Sequence, residues 1–192
     1  MEKIKKYLYE SAEVKRLVGD TLSNEIARAV DAVYQSIDKG GKVLLMGNGG
    51  SAGDAQHIAA ELVGRYKLER KALPAIALTV DTSAITAIGN DYGYDLIFDR
   101  QVEALCLTGD VVVAISTSGN SENIIRALER ARKIGARTIA LLGKTGGGAK
   151  NAADIVILIP SDDTARIQET HITIGHIICE LVEKRFADEN KI

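Results

Sequence analysis

Apolar residues in this chain follow two rhythms. Short unbroken runs rich in β-branched side chains recur at 43–46, 75–79, 111–115, 138–142 and 155–159. Runs of that kind predict strands buried on both faces, the habit of parallel sheets. Between them, apolar positions fall three and four apart over 52–66, 96–107 and 122–134, which predicts amphipathic helices. Strand and helix alternating through short glycine-rich turns predict an α/β fold: three layers, αβα, around a five-stranded parallel sheet. Such sheets bind ligands at the C-terminal edge of their strands, in the crevice where the strand order reverses.

Both ends of the chain read as helical. Leu22, Ile26, Ala29, Val30, Val33 and Ile37 keep helical spacing until Gly40-Gly41 stops the pattern. After Ser161-Asp162-Asp163-Thr164, a last helix carries Ile167, His171, Ile174, Ile178 and Leu181, with Ile172, Ile177 and Val182 on further sides. A helix apolar on more than one side is buried on more than one side. In a chain of 192 residues, packing between subunits covers it most simply. N-terminal helices within residues 1–40 and the long C-terminal helix are therefore expected to build a homo-oligomer, on a single domain spanning 1–192.

Composition narrows the partners. Hydrophobic residues make up 46% and charged residues 26%, with a net charge of -2. There is no basic surplus to attract a nucleic-acid backbone, so nucleic acid is not an expected partner. The start, Met1-Glu2-Lys3-Ile4-Lys5-Lys6, is charged and unlike an export signal. No apolar run approaches the roughly 20 residues that span a bilayer. A cytoplasmic protein is expected, with Cys106 and Cys179 as small buried hydrophobes in a reducing compartment.

Candidate chemistry gathers at two strand ends. Gly47-Asn48-Gly49-Gly50-Ser51 follows the first run and opens a helix. Free backbone N–H groups there suit an anion, although a tight turn capped by Ser51 would read the same. It is neither a dinucleotide fingerprint nor a Walker A loop. The second loop, Ser116-Thr117-Ser118-Gly119-Asn120-Ser121, puts four hydroxyls within six residues at a helix start. Hydroxyls with backbone amides match the acceptor oxygens of a phosphate, whereas capping needs only one of them. His57, Glu61 and Arg65 stand four apart, on one helix face. They read either as functional groups or as a solvated Glu61–Arg65 pair with a bystander histidine. On the last helix, Gln168 and His176 are eight residues apart and point broadly the same way. His176 reads either as a core histidine or as a partner to that face, with Gly175 permitting close approach of another backbone. An aldose–ketose isomerase needs a base for a carbon-bound proton, an acid/base for the oxygens, and an anchor for a remote phosphate. His57, Glu61, Gln168 and His176 form a plausible N/O set for a metal that would polarise the carbonyl.

Gly47-Asn48-Gly49-Gly50-Ser51, the stretch from His57 to Leu62, Gly89-Asn90-Asp91, the stretch from Ile115 to Ser121, Ala165-Arg166-Ile167-Gln168-Glu169 and His176 together resemble the sugar-isomerase (SIS) family. Within it they resemble the phosphoheptose isomerases, over nearly the whole chain and in the same order. The resemblance implies an isomerase that converts D-sedoheptulose 7-phosphate to D-glycero-D-manno-heptose 7-phosphate through an enediol, at the start of ADP-heptose and lipopolysaccharide core synthesis. Glu61 would be the base between C1 and C2, and His176 the acid/base at the oxygens. His57, Glu61, Gln168 and His176 would hold one zinc per subunit. Ser116, Thr117, Ser118 and Ser121 would bind the phosphate. Asn48, Gly49, Gly50, Ser51, Glu61, Asn90, Asp91 and Gln168 would bind the sugar. The family also implies a homotetramer with its sites between subunits. Ala165 replaces an acid that some members carry before the arginine, so no role of that acid carries over. The alternative is a non-enzymatic SIS-fold partner of the replication initiator DnaA, which lacks the glutamate and histidine that this chain has at 61 and 176.

Overall fold

A computed structural model describes residues 1–188. Its frame is a five-stranded sheet of β1 (Val43–Gly47), β2 (Ala75–Ala77), β3 (Val111–Ser116), β4 (Arg137–Leu142) and β5 (Ile155–Leu158). Every pairing is parallel, and the order is β2-β1-β3-β4-β5. The chain leaves β1 toward one edge and returns to its other side with β3, so the order reverses between these two strands.

Alternate strand residues feed two cores. Val43, Leu45, Val111, Val113, Ile115, Ile139 and Leu141 pack under α1 (Glu2–Asp38), α2 (Gly50–Val63) and α7 (Thr164–Asp188). Leu44, Met46, Val112, Ala114, Ala140 and Leu142 face α4 (Asp99–Leu105), α5 (Glu122–Ile134) and α6 (Ala149–Ala152). Strands sandwiched in this way need apolar residues on both faces, which explains the unbroken runs.

The N-terminal segment is one continuous helix, α1, not several. Its first core contact is the half-buried Val14, its first buried residue is Val18, and Ile4, Leu8 and Tyr9 are exposed. The 96–107 segment divides into a 3-10 turn, Tyr94–Leu96, and α4. Helix α3 (Thr82–Tyr92) was not foreseen; Asp81 caps it by accepting from Ala84 N–H at 2.9 Å, and none of its residues is buried. Helix α7 starts as the sequence suggests, with Asp163 accepting from Ala165 N–H at 2.8 Å. Ile167, His171, Ile174 and Ile178 of its first apolar side are buried, and so is Val182 on a further side, while Leu181 of the first side and Ile177 stay exposed. Among the described residues no helix is long and apolar enough to cross a membrane.

Candidate active site

The two glycine- and serine-rich loops follow β1 and β3, at the point where the strand order reverses. They are tied by a reciprocal amide pair: Asn48 donates to Asn123 at 3.0 Å and Asn123 donates back at 3.0 Å. The Tyr94 hydroxyl donates to the same Asn48 carbonyl oxygen at 2.9 Å. Two-way pairing of this kind holds both side chains in one orientation. Asn123 is a polar residue on the buried stripe of α5, and that mismatch was its one visible signal in the sequence.

The capping residue of α2 is Gly49, with φ of 56°, and not Ser51, whose side chain is buried. In the second loop, the Ser116 hydroxyl accepts from Gly119 N–H at 3.1 Å and the Ser118 hydroxyl from Asn120 N–H at 3.2 Å. Ser121 caps α5 by position only, without a side-chain bond to it. Its hydroxyl and the first amides of α5 therefore remain open to an anion. Gly119 takes φ of 66°, and a Cβ there would stand 2.0 Å from the Gly146 carbonyl oxygen. Only glycine fits this crossing of two backbones.

Helix α2 presents a half-exposed His57 and Glu61 on the side that meets α7. A Cβ on Gly50 would stand 2.7 Å from the Gln168 amide nitrogen, and one on Gly175 would stand 2.5 Å from Ile58 Cδ1. Contacts thus advance together along both helices, which run in the same direction. Gly175 admits the Ile58 side chain rather than another backbone. At that close approach His57 Nε2 and His176 Nε2 lie 2.9 Å apart, and His57 Nε2 lies 3.2 Å from Glu61 Oε1. Two imidazole nitrogens and a carboxylate oxygen converge within 4.8 Å, a set that could hold a metal ion. Arg65 lies beyond the end of α2 and pairs with Glu69 at 3.6 Å, so no Glu61–Arg65 pair forms.

Gln168 stands two turns before His176, about 12 Å along the axis at 1.5 Å per residue, with its amide against Gly50. Asn90 and Asp91 are exposed at the end of α3, bonded to each other at 2.8 Å. His171 is fully buried and shares a 3.1 Å hydrogen bond with the Leu142 carbonyl. Burial pushes its pKa down to about 4, against a smaller upward pull from that bond, so it is a neutral packing residue. Burial raises the thiols of Cys106 and Cys179, to about 11 and about 12, and both are free. Asp54, one turn before His57, has its pKa raised by burial, with the His57 charge opposing. Among the described residues its Oδ2 has no hydrogen-bond partner.

Residues 6–143 match the SIS domain family. The chain is 55% identical to phosphoheptose isomerase of Aquifex aeolicus over 99% of its own length and 100% of the relative's. It is 60% identical to that of Geobacter sp. strain M21, over 96% of both chains. The solved phosphoheptose isomerase of Francisella tularensis superposes with a TM-score of 0.92 at 42% identity, covering 95% of this chain and 97% of that one. That of Neisseria gonorrhoeae gives 0.90 at 43%, covering 95% and 98%. A parallel sheet with paired loops at its reversal point and these matches define an SIS-domain isomerase. The chain belongs to the phosphoheptose isomerase family. These matches do not favour an initiator-binding protein.

Proposed function

We propose that this protein interconverts D-sedoheptulose 7-phosphate and D-glycero-D-manno-heptose 7-phosphate, feeding ADP-heptose and lipopolysaccharide core synthesis. The observation that carries the proposal is the convergence of Glu61, His57 and His176 beside an anion cradle, in a chain of this family. Glu61 takes the proton from C1 of the ketose, and the electron pair left behind forms the enediol. The same carboxyl returns the proton to C2, which yields the aldose. His176 gives a proton to O2 and receives the one leaving O1. Ser116, Thr117, Ser118 and Ser121 hold the phosphate, whose binding energy orients the distant reacting end. His57 lies about 10 Å along α2 from Gly50, at 1.5 Å per residue, which leaves room for several sugar carbons between the first loop and the triad. Asn48, Gly49, Gly50, Ser51, Asn90, Asp91 and Gln168 bind the hydroxyls.

The donor set suits zinc, which would be held by His57, Glu61 and His176. Zinc would polarise the carbonyl and stabilise negative charge on the enediol oxygens. Gln168, whose amide lies against Gly50, would complete the set. We read residues 1–192 as one SIS domain that assembles as a cytoplasmic homotetramer. The His57 side chain is 50% exposed in the protomer, and enediol chemistry needs water kept out. A neighbouring subunit over the triad supplies that cover, and exposed Ile4, Leu8, Ile177 and Leu181 supply the adhesive surface.

The test is turnover of purified protein on sedoheptulose 7-phosphate. Glu61→Gln is expected to lose about 10²–10⁴-fold in rate, with circular dichroism and sedimentation unchanged. Parental turnover by that variant ends the proposal. Metal content by emission spectroscopy, with activity before and after a chelator and after zinc return, tests the ion separately.

A further inference from the structure

Behind the triad lies a fully buried ion pair. Arg70 Nε donates to Glu183 Oε1 at 2.9 Å, and the two side chains are 0% and 1% exposed. Burying two charges is costly unless every remaining donor and acceptor is met, and here they are met by backbone at the site. Arg70 donates through Nη2 to the Glu61 carbonyl at 2.8 Å, and through Nη1 to the Leu62 carbonyl at 2.9 Å. Those carbonyls end α2 and have no partners within the helix, and a cation suits that end of the dipole. Glu183 accepts from the N–H groups of Tyr66, Lys67 and Leu68, at 3.1, 2.8 and 3.0 Å. Burial works to raise the Glu183 pKa, but those three donors and Arg70 together hold it below the usual carboxylate range.

The loop held in this way ends on the triad. The Tyr66 ring stacks on the His176 imidazole, with centroids 5.7 Å apart and planes 28° apart. Lys67 Nζ sits 5.2 Å from the Tyr66 ring centroid and donates to Glu180 on α7 at 2.8 Å. Glu183 lies seven residues beyond His176, two turns along the same helix. A single buried pair therefore ties the backbone of Glu61 on α2 to the ring plane of His176 on α7.

The geometry points to Arg70, Glu183 and Tyr66 as positioning residues: the buried pair sets Glu61 against His176, and Tyr66 fixes the imidazole plane so that its Nε2 meets His57 and Glu61. A loop anchored only for stability would not need its ring on the imidazole. The inference rests on the proposed reaction for its kinetic readout and on the donor triad for its metal readout.

The experiment compares the full-length protein with Tyr66→Ala and Tyr66→Phe. Tyr66→Ala is expected to lower kcat on sedoheptulose 7-phosphate about tenfold with KM within about twofold, and to weaken Zn²⁺ binding in chelator competition about tenfold, as loss of an outer-shell partner does. Tyr66→Phe keeps the ring face and is expected to restore both to near the parental values. A fall in either readout with alanine, reversed by phenylalanine, supports the inference. Alanine leaving both unchanged overturns it, and so does phenylalanine failing like alanine. Glu183→Gln is expected to move the same readouts in the same direction; if that variant does not fold, the Tyr66 pair still decides. Zinc affinity is measured without sugar, so a parent that binds zinc but does not turn over this heptose counts against the proposed function and leaves this inference to its metal arm.

Discussion

Gly175 shows how much a single missing methyl group decides at the residue scale. With a Cβ 2.5 Å from Ile58 Cδ1, Gly175→Ala pushes α7 away from α2 where His176 meets His57. Overpacking of this kind costs about 1–3 kcal/mol. Thermal unfolding should show that loss, and Ile58→Val in the same chain should recover part of it. Gly119→Ala is expected to be worse, because the obstacle is the Gly146 carbonyl rather than a flexible side chain, and the φ of 66° is itself strained for alanine. If the second loop is the phosphate anchor, the KM of that variant for the sugar phosphate rises at least about tenfold, a change of about 1.4 kcal/mol. A KM that stays put would separate the loop from the phosphate.

At the scale of elements, α7 ties the sheet to the site and carries a pH dependence. His171 is neutral in the folded chain, with its pKa pushed down to about 4 by burial, against about 6.5 when unfolded. The unfolded chain therefore binds the extra proton first as pH falls. Stability contributed by this group is complete above pH 6.5 or so and drains away down to about pH 4, by a total of order 3 kcal/mol. Glu183 adds to the decline lower down: its folded pKa is depressed, so its contribution is present above the unfolded value near 4.3 and is lost below it. Denaturant unfolding across this range should slope downward toward acid, and His171→Gln should flatten the upper part. A slope unchanged by that substitution would assign the effect elsewhere.

For the whole molecule, the apolar residues left over are as informative as those in the core. Exposed Ile4 and Leu8 lie on the part of α1 that precedes its first core contact at Val14, and exposed Ile177 and Leu181 lie on the outer side of α7. Between these helices a groove is lined by Val18, Ile26, Ile174, Ile177 and Leu181. If the proposed tetramer forms, Leu8→Glu together with Ile177→Glu should shift sedimentation toward smaller species without loss of secondary structure, and activity should fall with assembly. A fully active monomer would contradict a site completed by its neighbour.

Strand positions, the parallel sheet and both glycine-bearing loops were legible in the chain, because they rest on local patterns: unbroken apolar runs, turn glycines and helical spacing. Glu122–Ile134 could be read to its ends for the same reason, since Ser121 and Gly135 bracket a regular stripe. Helix α3 escaped because it is short and only half-buried, with Ile85 and Ile88 alone packing against the core, too brief a stripe to stand out in the chain. His57 and Glu61 could be paired by spacing, but His176 lies 119 positions from His57. Only the parallel packing of α2 on α7 brings them together. Tyr66, Arg70, Glu183 and Asn123 left little trace, because their meaning lies in long-range partners. Burial patterns are written along the chain residue by residue, whereas the meeting of distant polar groups depends on how the layers close.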